Sequence, residues 1–191
     1  LWEAWAARES GSESSPLALV TDVGNDILYV ASAEQISGWV RTCIQRLEKY
    51  ECEIALTGIP LKSLDRITRF EFPIFRSMLY PGCFLTREQA LSRAAELNDL
   101  LHELAAAHGL LFFEPDADWY CRDRIHITRG AQQQACSNFL SLDDEDLSPS
   151  PWRELLTVRS LPPHYRRIFG FSQRRSQPAG VLRDGTHVSL Y

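Results

Sequence analysis

Hydrophobic and polar positions along this chain alternate in blocks. Leu17-Ala18-Leu19-Val20 is an apolar run too short for a helix, and it passes into Thr21-Asp22-Val23-Gly24-Asn25-Asp26, a stretch rich in turn formers. A core strand of a parallel sheet ends in this way. Ser32-Ala33-Glu34-Gln35 then fits a capping box, and Ile36, Val40, Cys43, Ile44 and Leu47 recur at helical spacing. Glu53-Ile54-Ala55-Leu56-Thr57 predicts a second strand, broken by Gly58-Ile59-Pro60. Another capping box, Thr86 to Gln89, opens a helix with a stripe of Ala90, Ala94, Leu97, Leu101 and Leu104, and Gly109 suits its C′ position. Leu110 to Glu114 predicts a third strand, ended by Pro115 and Asp116. Alternating strand–helix units imply parallel strands joined by right-handed crossovers.

Other stretches carry less regular patterns. Leu61 to Gly82 is longer than a simple connection and holds Phe70, Phe72, Phe75 and Tyr80 with Arg69 and Arg76. It either walls a substrate pocket or covers the sheet. Leu1 to Arg8 reads as the end of an amphipathic helix with Trp2 and Trp5 on one side, and Glu9 to Pro16 as a Ser-rich link. Ala131 to Leu142 is a helical run. The acidic run Asp143–Asp146 and Ser148-Pro149-Ser150-Pro151 then divide the chain into an α/β domain at 1–147 and a linker plus extension at 148–191. Arg166, Arg167, Arg174 and Arg175 come in pairs in that extension, and Asp184-Gly185 between alternating residues from Val181 to Leu190 is a hairpin signal.

Composition narrows the function classes. The 191 residues are 45% hydrophobic and 24% charged, ordinary for a globular chain, and the formal net charge of -5 argues against bulk nucleic-acid binding. No apolar run reaches the length of a membrane span. The 5 cysteines are odd in number and lack a C-x-x-C spacing; Cys43, Cys52 and Cys136 lie in apolar segments. Reduced, buried thiols and a cytoplasmic compartment are expected in preference to a disulfide framework.

Two segments carry candidate chemistry. Gly24-Asn25-Asp26 follows a strand C-terminus, where open α/β sheets place their active loops, and an Asn there can donate to a developing oxyanion. Asp123-Arg124-Ile125-His126 leads into the last helix; a carboxylate three residues before a histidine can fix its tautomer and stabilise the imidazolium. Trp119 and Tyr120 either line the adjoining cleft or anchor the loop. His102 and His108 are six apart on one helix and read as surface residues, not ligands.

Together, the Gly-Asn-Asp loop and the late Asp-x-x-His block resemble the SGNH/GDSL hydrolases, over roughly Leu17 to Leu142, with Ile127, Thr128 and Gly130 also fitting the family's habit. The resemblance implies a flavodoxin-like three-layer parallel sheet and a serine ester hydrolase acting through an acyl-enzyme. His126 would be the base, Asp123 its orienter and Asn25 an oxyanion donor, with Gly24 and Asp26 beside it in the loop. It implies a small-molecule ester substrate and neither metal nor cofactor. Two departures stand out: the family's block glycine falls on Val23, and neither a Gly-Asp-Ser turn nor a second oxyanion glycine occurs. Ser10, Ser12, Ser14 and Ser15 lack the strand-to-helix turn a nucleophile needs. The sequence is therefore expected to be an N-terminally truncated piece retaining about three parallel strands, with its nucleophile upstream, and essentially inactive as given. The alternative is a non-catalytic flavodoxin-like module binding a partner or small anion. A weaker third reading uses Asp22, Asp26, Asp123 and His126 as metal ligands.

Overall fold

The computed structural model describes residues 16–140, 152–168, 171–183 and 185–191. The Trp2/Trp5 segment, the Ser10–Ser15 link, the acidic run at 143–146, the Ser-Pro linker and Asp184 lie outside the described residues. The chain divides into two compact units, the larger within Ser12–Leu147 and the smaller holding Ser148–Tyr191.

The larger unit is built on a three-stranded parallel sheet of β1 (Leu17–Val20), β2 (Glu53–Thr57) and β3 (Leu111–Phe113), in that spatial order. In β2, Ile54 to Thr57 are all buried, as a strand covered on both faces must be. Helix α1 (Ala33–Glu48) connects β1 to β2. Three helices, α2 (Leu61–Leu64), α3 (Glu71–Leu79) and α4 (Arg87–His108), lie between β2 and β3, and α5 (Gln132–Leu140) follows. Both capping boxes form, Ser32 with Gln35 and Thr86 with Gln89, so each long helix starts where its sequence signal stands. Gly109 ends α4 at φ 64°, the left-handed conformation that a residue without Cβ adopts freely.

Helices α1 and α4 pack on one another, with Ile36 and Ile44 from the first, Leu97 and Leu101 from the second and Leu56 of β2 all fully buried. Neighbouring strand residues point to opposite faces. Accordingly Phe112 stacks 4.0 Å from His102 on α4, and Phe113 lies 6.4 Å from Phe139 on α5. The sheet therefore has helices on both faces, a three-layer α/β arrangement. A second core of Trp119, Ala135 and Phe139 fills the α5 side.

Cys136 departs from the expectation of burial: it faces outward on α5, while its neighbours Ala135 and Ser137 turn inward. Cys43 and Cys52 are half-buried, Cys83 is buried, and all five cysteines are free thiols. No helix among the described residues is long and apolar enough to cross a membrane.

The smaller unit contains α6 (Trp152–Ser160), an antiparallel pair of β4 (Tyr165–Ile168) and β5 (Phe171–Arg174), and a second pair of β6 (Gly180–Val181) and β7 (His187–Val188). The second pair is the hairpin signalled by Asp184-Gly185, with Gly185 at φ 89°.

Candidate functional site

Three loops at the C-terminal ends of the strands form one cleft. The first leaves β1. Asp22, in the left-handed region at φ 59°, turns the chain, and Val23–Tyr29 then winds as a 3-10 helix, not the short polar turn that Gly24-Asn25-Asp26 suggested. Val30 closes it at φ 70°, a strained conformation for a β-branched residue. Asn25 and Gly24 line the cleft. Asp26 is not on its wall; its carbonyl accepts from Ala31 N–H.

The second loop leaves β2. Gly58 is packed so closely that a Cβ there would lie 2.8 Å from Asn98 Oδ1 and 2.9 Å from the Phe112 ring. Asn98, buried on α4, accepts the Ile59 N–H at 2.8 Å. This polar group within an apolar helix stripe escaped sequence reasoning; a lone Asn among Leu97, Leu101 and Leu104 was the available signal. The loop is further fixed by Gly58 N–H donating to the Phe113 carbonyl at 2.8 Å, and the Thr57 hydroxyl donates to that of Thr21 at 3.2 Å.

The third loop holds the acid–base pair. Tyr120 bridges antiparallel to Ile127, and Cys121 N–H to His126 O and Thr128 N–H to Trp119 O, both 2.7 Å, staple the segment shut. Arg124 takes the turn at φ 65°. Inside it, Asp123 Oδ1 accepts both the Ile125 and His126 N–H groups at 3.1 Å, and Oδ2 lies 2.8 Å from His126 Nδ1. Because an ionised carboxylate only accepts, Nδ1 carries the proton and Nε2 is left as the base. Burial works to raise the Asp123 carboxyl, but the hydrogen bonds from the His126 ring and from the two backbone groups outweigh it, so it stays below the usual carboxylate range.

Asp123 and Asn25 line the same cleft, whose volume is about 950 Å³ with its open mouth included. His126 is not on that wall; its side chain is 66% exposed, joined to the cleft through Asp123. Among the described residues no hydroxyl bonds to His126. Tyr120 lines the cleft, its hydroxyl pushed up to about 12 by burial and by the Asp22 carboxylate, so it stays neutral. Trp119 does not line it: at the end of the 3-10 turn Ala117–Trp119 it is buried in the α5 core, 5.6 Å from Phe139, as a loop anchor, while Tyr120 packs against that core and also reaches the cleft.

The insertion at 61–82 walls the cleft. Phe72, Phe75 and Leu79 on α3 line it, and Tyr80 donates its hydroxyl to Asn25 Oδ1 at 3.3 Å, which leaves the Asn25 N–H groups for a ligand. Tyr80 packs edge-on to Tyr29 at 5.0 Å, and its burial raises its pKa above that of free tyrosine. Arg76 donates from Nη1 to the Leu85 carbonyl at 2.8 Å and, among the described residues, pairs with no acid. Arg66, paired with Asp118 at 2.6 Å, and Arg87, donating to the carbonyls of Ile67 and Asp65, bind the insertion to the body.

His102 and His108 on α4 pair with Glu114 after β3 and with Glu48 at the end of α1. Among the described residues, no three His, Cys, Asp or Glu side chains group as a metal site. Compared with protein-family models, curated proteins and solved structures, the chain matches none of them.

Proposed function

We propose that this chain carries the acid–base pair and one oxyanion donor of a serine ester hydrolase of the SGNH/GDSL kind, on a flavodoxin-like three-layer sheet, with the nucleophilic serine outside the residues assigned here. The observation that carries the reading is the meeting of Asn25 and Asp123 on one cleft, with His126 held 2.8 Å from Asp123. A hydrolase needs Asn25 and His126 to face one cleft, whereas a binding module does not; here Asn25 lines the cleft and His126 reaches it only through Asp123.

In this reaction His126 Nε2 takes the proton of an upstream serine hydroxyl as its oxygen bonds to the ester carbonyl carbon. Asn25 donates to the oxyanion so formed, and Asp123 stabilises the imidazolium. The carbon–alkoxy bond breaks, the alcohol leaves with the proton from His126, and water repeats the sequence on the acyl-enzyme. Removing a single oxyanion donor costs about 10² to 10³ in turnover.

The test compares hydrolysis of short p-nitrophenyl esters by the 191-residue chain with hydrolysis by the chain extended upstream through a Gly-Asp-Ser turn. The first is expected to be inactive; the second is expected to turn over and to lose activity in His126→Ala. Turnover by the 191-residue chain that disappears on Ser→Ala within Ser10–Ser15 would overturn the assignment, as would an extended chain indifferent to His126.

A further inference from the structure

The polar groups of the cleft come from the strand-end loops, whereas its other walls are hydrocarbon. Phe72, Phe75 and Leu79 on α3 and Leu91 and Ala94 on α4 supply them. Among the described residues Arg76 is the only cation lining it; its Nη1 is held by the Leu85 carbonyl, while its Nε is buried without a partner. No residue of α3 is buried: Ile74 and Met78, on its other face, are 65% and 66% exposed. The helix thus gives three large apolar side chains to a hollow that the protein itself does not fill. Water in such a hollow finds few partners, and an apolar ligand is favoured there. Along the α3 and α4 walls a sugar would meet one hydrogen-bonding side chain, Arg76, among the apolar ones; a methylene chain needs none.

The head of the ligand is set by the loops. Asn25 has its oxygen engaged by Tyr80 and offers N–H donors, which suit a carbonyl oxygen. Two lining carboxylates, Asp22 and Asp123, stand against one guanidinium, which disfavours an anionic head. We propose that the cleft takes the acyl chain of an uncharged aliphatic ester, its tail between α3 and α4 and its carbonyl toward Asn25. The direction of the carbonyl rests on the hydrolase reading; the tail site does not.

The 191-residue chain is sufficient for the test. A neutral fluorescent probe, N-phenyl-1-naphthylamine, is bound and displaced by methyl esters of hexanoic to dodecanoic acid. Affinity is expected to rise about four-fold per added methylene until the cleft is full, then level off. Leu79→Arg and Leu91→Arg, which set a charge on the cleft wall from two different helices, are expected to abolish displacement; Met78→Arg, on the outer face of α3, is expected to leave it intact. Circular dichroism on each variant separates lost binding from lost folding. Displacement independent of chain length, equal loss in Met78→Arg and Leu79→Arg, or tighter competition by methyl benzoate or by the free alkanoates would overturn the proposal. Hydrolysis by the extended chain without length-dependent displacement sinks this inference alone; length-dependent displacement without hydrolysis sinks the hydrolase reading alone.

Discussion

Asn98 is the side chain on which the second cleft loop hangs, and its removal has a calculable effect. It is only 7% exposed, and its Oδ1 accepts the N–H of Ile59, itself 6% exposed, at 2.8 Å. Asn98→Ala strips that acceptor and leaves a buried donor unpaired, which costs about 1 to 3 kcal/mol. Some packing against Gly58 goes with it, since Oδ1 lies 2.8 Å from where a Gly58 Cβ would stand. A loss near ~2 kcal/mol corresponds to a fall in Tm of about 4 to 8 °C for a chain of this size. Urea unfolding measures the stability, and amide hydrogen exchange read at Ile59 localises the damage. Asn98→Leu, which refills most of the volume without an acceptor, should remain destabilised. If Ile59 stays protected in Asn98→Ala, or if Asn98→Leu matches the parent chain in urea, the hydrogen bond does not hold this loop and the reasoning is wrong.

Three further outcomes are expected. Val30 pays for its left-handed φ of 70° while 54% exposed, so Val30→Gly should stabilise the fold by about 1 kcal/mol in urea titration, the relief of strain exceeding the added freedom of the unfolded chain; a loss of stability would contradict the strain. Asp123 has its folded pKa below the unfolded value, so its contribution to stability is complete above pH ~4 and is withdrawn as the pH falls through the lower folded value. Melting temperatures should therefore drop more steeply below pH ~4 in the parent chain than in Asp123→Asn, and equal slopes would refute the linkage. In the upstream-extended chain, Tyr80→Phe frees Asn25 Oδ1 and should lower kcat roughly two- to ten-fold with KM little changed; a change confined to KM would assign Tyr80 to substrate binding instead.

How far the fold could be read in advance depended on whether one physical signal dominated each stretch. For α1 and α4 a capping box and a single buried stripe agree, and the three strands of the sheet are apolar runs closed by turn residues. Helix α3 defeats the same reasoning because Phe72, Phe75 and Leu79 on one face and Ile74 and Met78 on the other leave no single stripe, and Pro73, normally a breaker, sits harmlessly in the first turn. Strand β5 is exposed along its whole length and shows no alternation to detect. At the candidate site, Asp123 and His126 were legible because their pairing is local. Tyr80 and Asn98 were not, since each reaches its partner across 55 and 39 residues of chain. Neither could the fates of Trp119 and Tyr120 be separated, since both pack at the α5 core and only their tertiary partners decide that Tyr120 alone also reaches the cleft.

The staple from Trp119 to Thr128 has one more consequence. Every bond that aims the imidazole at its carboxylate, and every backbone bond that closes the turn around them, is made within ten consecutive residues. The pair therefore behaves as a preassembled cassette: damage to the sheet displaces it whole instead of dismantling it. A variant crippled elsewhere in the fold would keep the imidazole–carboxylate bond and still fail, because what it lost is alignment with a carboxamide on another loop.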